Sequence, residues 1–180
     1  PEPNSRTIER CLRQVRAIST IHDLLSPADI SAGISVKECL LEVAKQAVQA
    51  MARADDIEVF VTGDDYMISS DAAAALGVMV NELVSNAVEH GFGAAERGRV
   101  EIRASCRDAT GCVEVIDNGV ALPDDFVLPR PGGSATGLGL VSSLAEYGLG
   151  GALEIERRER GVCARITVKG VKCGTEGIGS

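Results

Sequence analysis

Three short segments carry polar residues at spacings that suit nucleotide chemistry. The first is 81–90, NELVSNAVEH, in which Glu82, Asn86 and His90 recur at every fourth position. On a helix this spacing places the three side chains on one face, so that an amide able to ligate a metal ion stands one turn from a carboxylate. A solvated polar stripe on an amphipathic helix is the alternative interpretation of the same spacing.

The second segment is 113–119, VEVIDNG. Asp117 ends an apolar strand at the point where the chain turns, and a carboxylate placed there can accept a hydrogen bond from an exocyclic amine such as that of adenine. Gly119 would let the backbone approach a flat ring. Because Asp-Asn-Gly is also strong turn chemistry, an Asx turn after a strand would explain the segment equally well.

The third segment is 132–140, GGSATGLGL, a glycine-rich loop that leads directly into a predicted helix. Free N–H groups at the start of a helix bind anions readily, so the segment suits a phosphate. A flexible linker is the alternative, and the G-K-[ST] ending of a Walker A loop is absent from the sequence.

The elements that must position these segments follow from periodicity and capping signals. Apolar spacing predicts a helix over 6–25, and the S-x-x-E capping box at 35–38 opens another that reaches about Arg53. We expect Ser70 to cap the helix that carries Asn86, which should run to His90 and stop before Gly91. The other predicted elements are strands at 57–61, 99–106, 112–117, 152–157 and 162–168, and a helix at 137–147.

Consecutive hairpins among these strands force antiparallel pairs, which a purely parallel Rossmann sheet lacks. The sequence therefore predicts an α/β fold, a two-layer sandwich of one mixed β-sheet and helices. The Pro- and Gly-rich loop 118–136 between the second and third segments is long enough to serve as a lid. The Gly-rich end of the chain, 171–180, is expected to be a disordered tail.

Composition excludes several classes of function. The 180 residues carry a formal net charge of −8, which argues against nucleic-acid binding. None of the six cysteines forms a C-x-x-C pair, so we expect no zinc site, and several of them sit in apolar stretches, as small buried hydrophobic residues do. With neither a signal peptide nor an apolar run long enough to span a membrane, we expect a soluble, cytoplasmic domain with no membrane partner.

Taken together, the three segments resemble the N, G1 and G2 boxes of the GHKL ATPase superfamily, in order, spacing and predicted element type, over roughly 37–169. The resemblance implies the Bergerat fold, with ATP and Mg²⁺ as cofactors. It implies that Asn86 ligates Mg²⁺, that Asp117 binds the adenine amine, and that Glu82 polarises the acceptor or a water. The remaining nucleotide-binding positions that it implies are His90, Gly119, Thr136, Gly137, Leu138 and Gly139.

Residues near the start of the sequence resemble one particular group within this superfamily. Residues 16–25, RAISTIHDLL, are similar to the second dimerisation helix of the HWE-like sensor histidine kinases, in the sister group that lacks the W-x-E motif. The similarity implies a partial dimerisation region and linker at 1–34, an ATP-binding catalytic domain at 35–170, and a homodimer formed through 6–25. The γ-phosphoryl would pass to a His outside this chain and thence to an Asp of a response regulator.

Two residues depart from the family pattern. Ala121 stands where the G1 box usually has its second Gly, and Glu89 stands where the N box often has Lys. These changes support an alternative function, a non-catalytic docking or phosphotransfer module with a degenerate ATP pocket. An anti-sigma serine kinase, which shares the fold, is a further alternative that the helix at 6–25 disfavours. Because His22 matches a family position that is not the acceptor, we expect it to pack at a helix seam.

Overall fold

The structure is a computed structural model that describes residues 33–49, 56–92, 97–131 and 137–173. The predicted helix at 6–25, including His22, lies outside the described residues, as do Thr136 and the predicted helix end near Arg53. In chain order the elements are β1 (Ile34–Ser35), α1 (Val36–Gln49), β2 (Ile57–Gly63), β3 (Tyr66–Ile68), α2 (Ser70–Gly91), β4 (Gly98–Arg107), β5 (Thr110–Asp117), α3 (Gly137–Ser143, continued by a π-helical stretch over Leu144–Gly148), β6 (Leu153–Arg157), β7 (Val162–Lys169) and β8 (Lys172–Cys173).

The main sheet has five strands in the order β2-β4-β5-β7-β6. β2 pairs with β4 in parallel, and every other pair in this sheet is antiparallel. Side chains alternate along the strands, so that Val100, Ile102 and Ala104 of β4 are buried in the core shared with the helices. The predicted two-layer sandwich with a mixed sheet is therefore confirmed.

The opposite face of the sheet carries ion pairs, together with apolar residues such as Phe60, whose ring lies 4.6 Å from the Arg99 guanidinium. Arg165 of β7 donates to Glu114 of β5 at 2.8 Å, in the register that places these two residues side by side. On β4, Arg103 pairs with Glu101 at 2.9 Å. This polar face contrasts with the helix-covered face, and it explains why the long strands alternate so regularly in sequence.

Helix α2 crosses the sheet and holds the residues of the first chemical segment. Its N-cap is Ser69 and not Ser70, because the Ser69 side chain accepts a hydrogen bond from the N–H of Ala72 at 3.2 Å. Ser69 has the extended backbone that a capping residue needs, whereas Ser70 is already helical. In α1 the Ser35 hydroxyl accepts from the N–H of Glu38 at 3.0 Å, as the capping box predicts.

A second sheet, in the order β1-β3-β8, was not predicted from the sequence. Tyr66 of β3 pairs with Cys173 of β8, and a disulfide joins Cys173 to Cys106 on β4. The expectation of a disordered tail from 171 onward is therefore wrong for 171–173, and the disulfide was not predicted from the sequence. Cys39 and Cys163 are free and buried, as expected of cysteines in apolar stretches.

The helix predicted over 137–147 also needs a correction. Its regular part ends at Ser143, and a π-helical stretch over Leu144–Gly148 completes it. The N–H of Leu149 donates to the carbonyl of Leu144 at 3.1 Å, an i to i−5 bond that widens this turn. Among the helices of the described residues, none combines the length and apolarity that crossing a membrane would need.

Candidate nucleotide-binding site

A cleft of about 1220 Å³ opens beside the C-terminal half of α2. The other walls come from the end of β5, the loop that follows it, the start of α3, and β6 and β7. Six of the residues predicted from the sequence line the cleft: Glu82, Asn86, His90, Asp117, Gly137 and Leu138. The fold thus brings together side chains from all three segments that were singled out by their chemistry.

Asp117 is the buried acceptor of the site, with 7% of its surface exposed. Its Oδ1 accepts a hydrogen bond from the N–H of Gly119 at 2.9 Å. Burial raises the pKa of Asp117, while the backbone N–H bonds act in the opposite direction. The result is a fixed acceptor in a poorly solvated position, which suits recognition of a donor on a flat base.

Gly119 does not line the cleft, but it lets the turn after Asp117 pack against the end of helix α2. A Cβ at this position would lie 2.0 Å from the carbonyl oxygen of Gly91, the last residue of α2. The same carbonyl accepts a hydrogen bond from the N–H of Val120 at 2.7 Å. Because Gly119 has no side chain, the backbone at the end of β5 can lie in direct contact with the backbone at the end of α2.

The predicted polar face of α2 is real but unevenly exposed. Glu82 is 2% exposed, Asn86 is partly buried and His90 is exposed. A Cβ on Gly137 would lie 2.3 Å from Oε2 of Glu82 and 3.9 Å from Nδ2 of Asn86. The start of α3 therefore lies directly against the Glu82 carboxylate, and a side chain at position 137 would displace the end of Glu82.

These donors suit a hard divalent cation. Mg²⁺ prefers oxygen ligands and is usually bound by one or two protein groups together with substrate phosphates. The amide oxygen of Asn86 and the carboxylate of Glu82 are of the required type, and they stand where the glycine-rich turn meets α2. Asn86 on the cleft wall thus fits the role of a cation ligand.

The charged side chains that line the cleft are mostly acidic. Among its described lining residues are three carboxylates, those of Glu82, Glu89 and Asp117, and one imidazole, that of His90, with neither Lys nor Arg. A triphosphate entering such a cleft meets negative charge, so a bound cation has to offset the repulsion. Glu89, which departs from the family pattern, contributes directly to this imbalance.

Gly139, the third glycine of the predicted set, plays an internal role. Gly139 lies within α3 and is buried, and its carbonyl accepts a hydrogen bond from the Ser143 hydroxyl at 2.8 Å. It is absent from the described lining of the cleft, whereas Gly137 and Leu138 are present there.

Reasoning from the sequence missed the apolar walls. Side chains of Val115, Ile155, Val162 and Ala164 line the cleft from the sheet side. On the loop after β5, Val120, Leu122, Pro123 and Phe126 line it from the other side. The alternation within β7 indicates which residues face the helices, but only the register with β5 shows that they flank Asp117.

Comparison with known proteins agrees with this geometry. Residues 71–172 match the model of a family described as histidine kinase-, DNA gyrase B- and HSP90-like ATPases. The chain is 33% identical over 161 residues to the sensor histidine kinase PdtaS of Mycobacterium tuberculosis, covering 87% of this chain and 32% of that protein. It is 30% identical over 113 residues to blue-light-activated histidine kinase 2 of Erythrobacter litoralis, covering 62% of this chain and 32% of that protein.

Solved structures show the same fold. The blue-light activated histidine kinase EL346 of Erythrobacter litoralis superposes with a TM-score of 0.74 at 26% identity, covering 88% of this chain and 48% of that one. The nucleotide-free catalytic domain of histidine kinase ThkA superposes with a TM-score of 0.63 at 21% identity, covering 76% of this chain and 94% of that one.

The chain belongs to the family of histidine kinase-, DNA gyrase B- and HSP90-like ATPases. The chain is thus an ATP-binding domain similar to those of sensor histidine kinases, and the predicted resemblance to the GHKL-type ATPase domain of an HWE-like kinase is confirmed. The chain spans about a third of the length of the curated relatives it matches, 32% in each of the two cases given above.

Proposed function

We propose that the cleft binds Mg·ATP with the adenine at Asp117 and the phosphates at the start of α3. The observation that carries the proposal is the meeting of Asp117, Asn86 and Gly137 around one cleft, although they come from three separate segments. Asp117 accepts from the adenine amine, and the apolar walls cover the base. The backbone at Gly137 and Leu138 would face the phosphates, with Thr136 preceding it in the chain and His90 at the rim, while Gly139 would support this turn from within α3.

In this proposal Asn86 would hold Mg²⁺, which would supply the positive charge that neither Lys nor Arg provides among the described residues of the cleft. Glu82, buried beside Gly137, is available to polarise the group that attacks the γ-phosphorus or a water. Catalysis would then consist of positioning and charge neutralisation.

Titration calorimetry tests the binding step. The chain should bind a non-hydrolysable ATP analogue in the presence of Mg²⁺, and at least about tenfold more weakly when EDTA removes the ion, a loss of roughly 1.4 kcal/mol. Purified chain that takes up no nucleotide in Mg²⁺, while circular dichroism shows it folded, would refute the proposal.

We propose further that the γ-phosphoryl passes to a His of a dimerisation region outside this chain, and then to an Asp of a response regulator. The relatives' names as sensor histidine kinases support this step. A dimer through 6–25, the division at 34/35 and a cytoplasmic setting, where ATP is available, belong to the same proposal. The test is transfer of label from γ-labelled ATP to a separately supplied acceptor helix pair, with acid lability marking a phosphohistidine.

A docking module with a weakened pocket is the second candidate function, because Glu89 adds a carboxylate to the cleft and Ala121 lines it where the family has Gly. Comparing Glu89→Lys with Glu89→Gln tests how much the charge at this position weakens ATP binding. Both variants should bind ATP more tightly than the parent, and Lys more than Gln, since each step makes the cleft less negative. A parent that binds no ATP, beside a Glu89→Lys variant that does, would favour the docking module.

A further inference from the structure

The turn between β6 and β7 touches the buried acceptor of the site. Gly161, the residue before β7, has a φ of 78°. A Cβ on Gly161 would lie 1.9 Å from the carbonyl oxygen of Asp117 and 2.8 Å from its Oδ1. Both the backbone conformation and the available space therefore require glycine here. The hairpin backbone is in contact with the main chain and the carboxyl group of Asp117 at once.

Strand register explains how this contact arises. The paired residues of β5 and β7 end with Ile116 opposite Cys163. One step further along, Gly161 and Val162 lie beside Asp117, and the backbone of Val162 acts to lower the pKa of its carboxyl group against the effect of burial. The N–H of Gly119 donates to Oδ1 at 2.9 Å. The carboxylate is therefore held between the hydrogen bond from Gly119 and the backbone of the β6–β7 hairpin.

The hairpin turn itself is closed tightly. The N–H of Arg158 donates to the carbonyl of Gly161 at 3.2 Å, which ties the end of β6 to the start of β7. A residue with a side chain at 161 would have to push this turn away from Asp117. The hairpin backbone would then no longer support the carboxylate, which would keep only its hydrogen bond from Gly119.

We propose that Gly161 is a positioning residue for base recognition, which sets the Asp117 carboxylate so that it selects a purine with an exocyclic amine. This inference rests on the proposed function, in which Asp117 accepts from the adenine amine. It adds the β6–β7 hairpin, which lies outside the three segments recognised in the sequence, to the parts that determine nucleotide specificity.

The test compares ATP with purine riboside triphosphate, which has hydrogen in place of the amine. Calorimetry gives both dissociation constants for the parent, for Gly161→Ala and for two matched controls. Gly150→Ala and Gly170→Ala introduce the same methyl group at φ values of 59° and 73°, but into open space. The controls carry the backbone strain of a left-handed alanine without any contact to the site.

The preference of the parent for ATP over the analogue should fall about tenfold in Gly161→Ala, the effect of weakening one hydrogen bond to a charged group. Affinity for the analogue itself should change little, and both controls should keep the preference of the parent. A merely structural role for Gly161 would weaken both nucleotides equally. An unchanged ATP preference in folded Gly161→Ala would overturn the proposal.

A second measurement uses folded parent protein and does not depend on the alanine variant. The amide resonances of Gly161 and Val162 should shift more on adding ATP than on adding purine riboside triphosphate, because the carboxylate they contact gains a new donor only with ATP. Equal shifts with both nucleotides would overturn the role of Gly161 while leaving ATP binding intact. Failure of the parent to bind either nucleotide would instead refute the proposed function.

Discussion

Replacing Asp117 by Asn changes one atom at the centre of the proposed base site. The asparagine has the size of the aspartate, and its carbonyl oxygen can still accept from the N–H of Gly119. Its NH₂ group, however, replaces an acceptor by a donor, and the adenine amine is itself a donor. Losing a hydrogen bond to a buried carboxylate costs about 1–3 kcal/mol, so ATP should bind roughly ten- to a hundredfold more weakly.

The same substitution should not weaken the fold at neutral pH. Burial raises the pKa of Asp117 above that of an unfolded chain, so the folded state holds the proton more tightly. The stability that this proton contributes is fully present below the unfolded pKa and is lost as the pH rises through the folded pKa. Since asparagine does not titrate, Asp117→Asn should gain stability relative to the parent as the pH rises from acid to neutral.

Urea unfolding at several pH values and calorimetry at pH 7 measure the two effects separately. Asp108→Asn is the matched control, because the Asp108 side chain is 90% exposed in the β4–β5 turn and its φ of 49° is one that asparagine tolerates. This control should leave ATP affinity unchanged. The reasoning would be refuted if Asp117→Asn bound ATP as tightly as the parent does. It would also be refuted if the stability of Asp117→Asn fell relative to the parent with rising pH.

Three further outcomes are expected. Nucleotide affinity in Mg²⁺ and in EDTA should differ much less for Asn86→Ala than for the parent, because the variant lacks the proposed metal ligand. A calorimetric difference equal to that of the parent would contradict this role. Amide exchange across residues 121–131 should slow when a Mg·ATP analogue is added, and unchanged exchange would argue against a lid. The chain alone should take up no acid-labile label on His22 from γ-labelled ATP, and label that disappears in His22→Ala would reverse this expectation.

The long strands could be predicted from the sequence, whereas the short ones could not. β4 and β5 span 8–10 residues, enough for apolar and polar positions to alternate several times. β1, β3 and β8 have only two or three residues each, which is too few to show a period. Their pairing depends on contacts between distant parts of the chain, such as that of Tyr66 with Cys173.

In the candidate site, too, some features could be predicted from the sequence and others could not. Spacing on one helix indicated that Glu82, Asn86 and His90 share a face, because helical geometry is local. The proximity of Gly161 to Asp117 could not be foreseen, since it depends on the register between β5 and β7. A glycine in a hairpin turn is ordinary turn chemistry, and the sequence alone does not distinguish it from one that touches a binding residue.

The two ends of the cleft differ in the contacts that hold them in place. At the Asp117 end, backbone touches backbone: Gly119 lies against the carbonyl of Gly91, and that carbonyl also accepts from Val120 at 2.7 Å. The described part of the following loop is held more loosely, by a turn bond from Phe126 to Pro123 and an exposed ion pair between Asp124 and Arg157. Exposed pairs contribute little to stability.

The rigid Asp117 end of the cleft and the loosely held loop would serve different steps of binding, recognition of the base and enclosure of the phosphates. In the proposed complex the base can be recognised without reorganising Asp117, since the N–H of Gly119 already orients its carboxylate. Enclosing the phosphates would instead order the loop, whose residues 120–131 form neither helix nor strand and include Val127, with 81% of its surface exposed. The entropy lost in ordering that loop would oppose binding, and Mg²⁺ held by Asn86 would supply an attraction to the phosphates that offsets it.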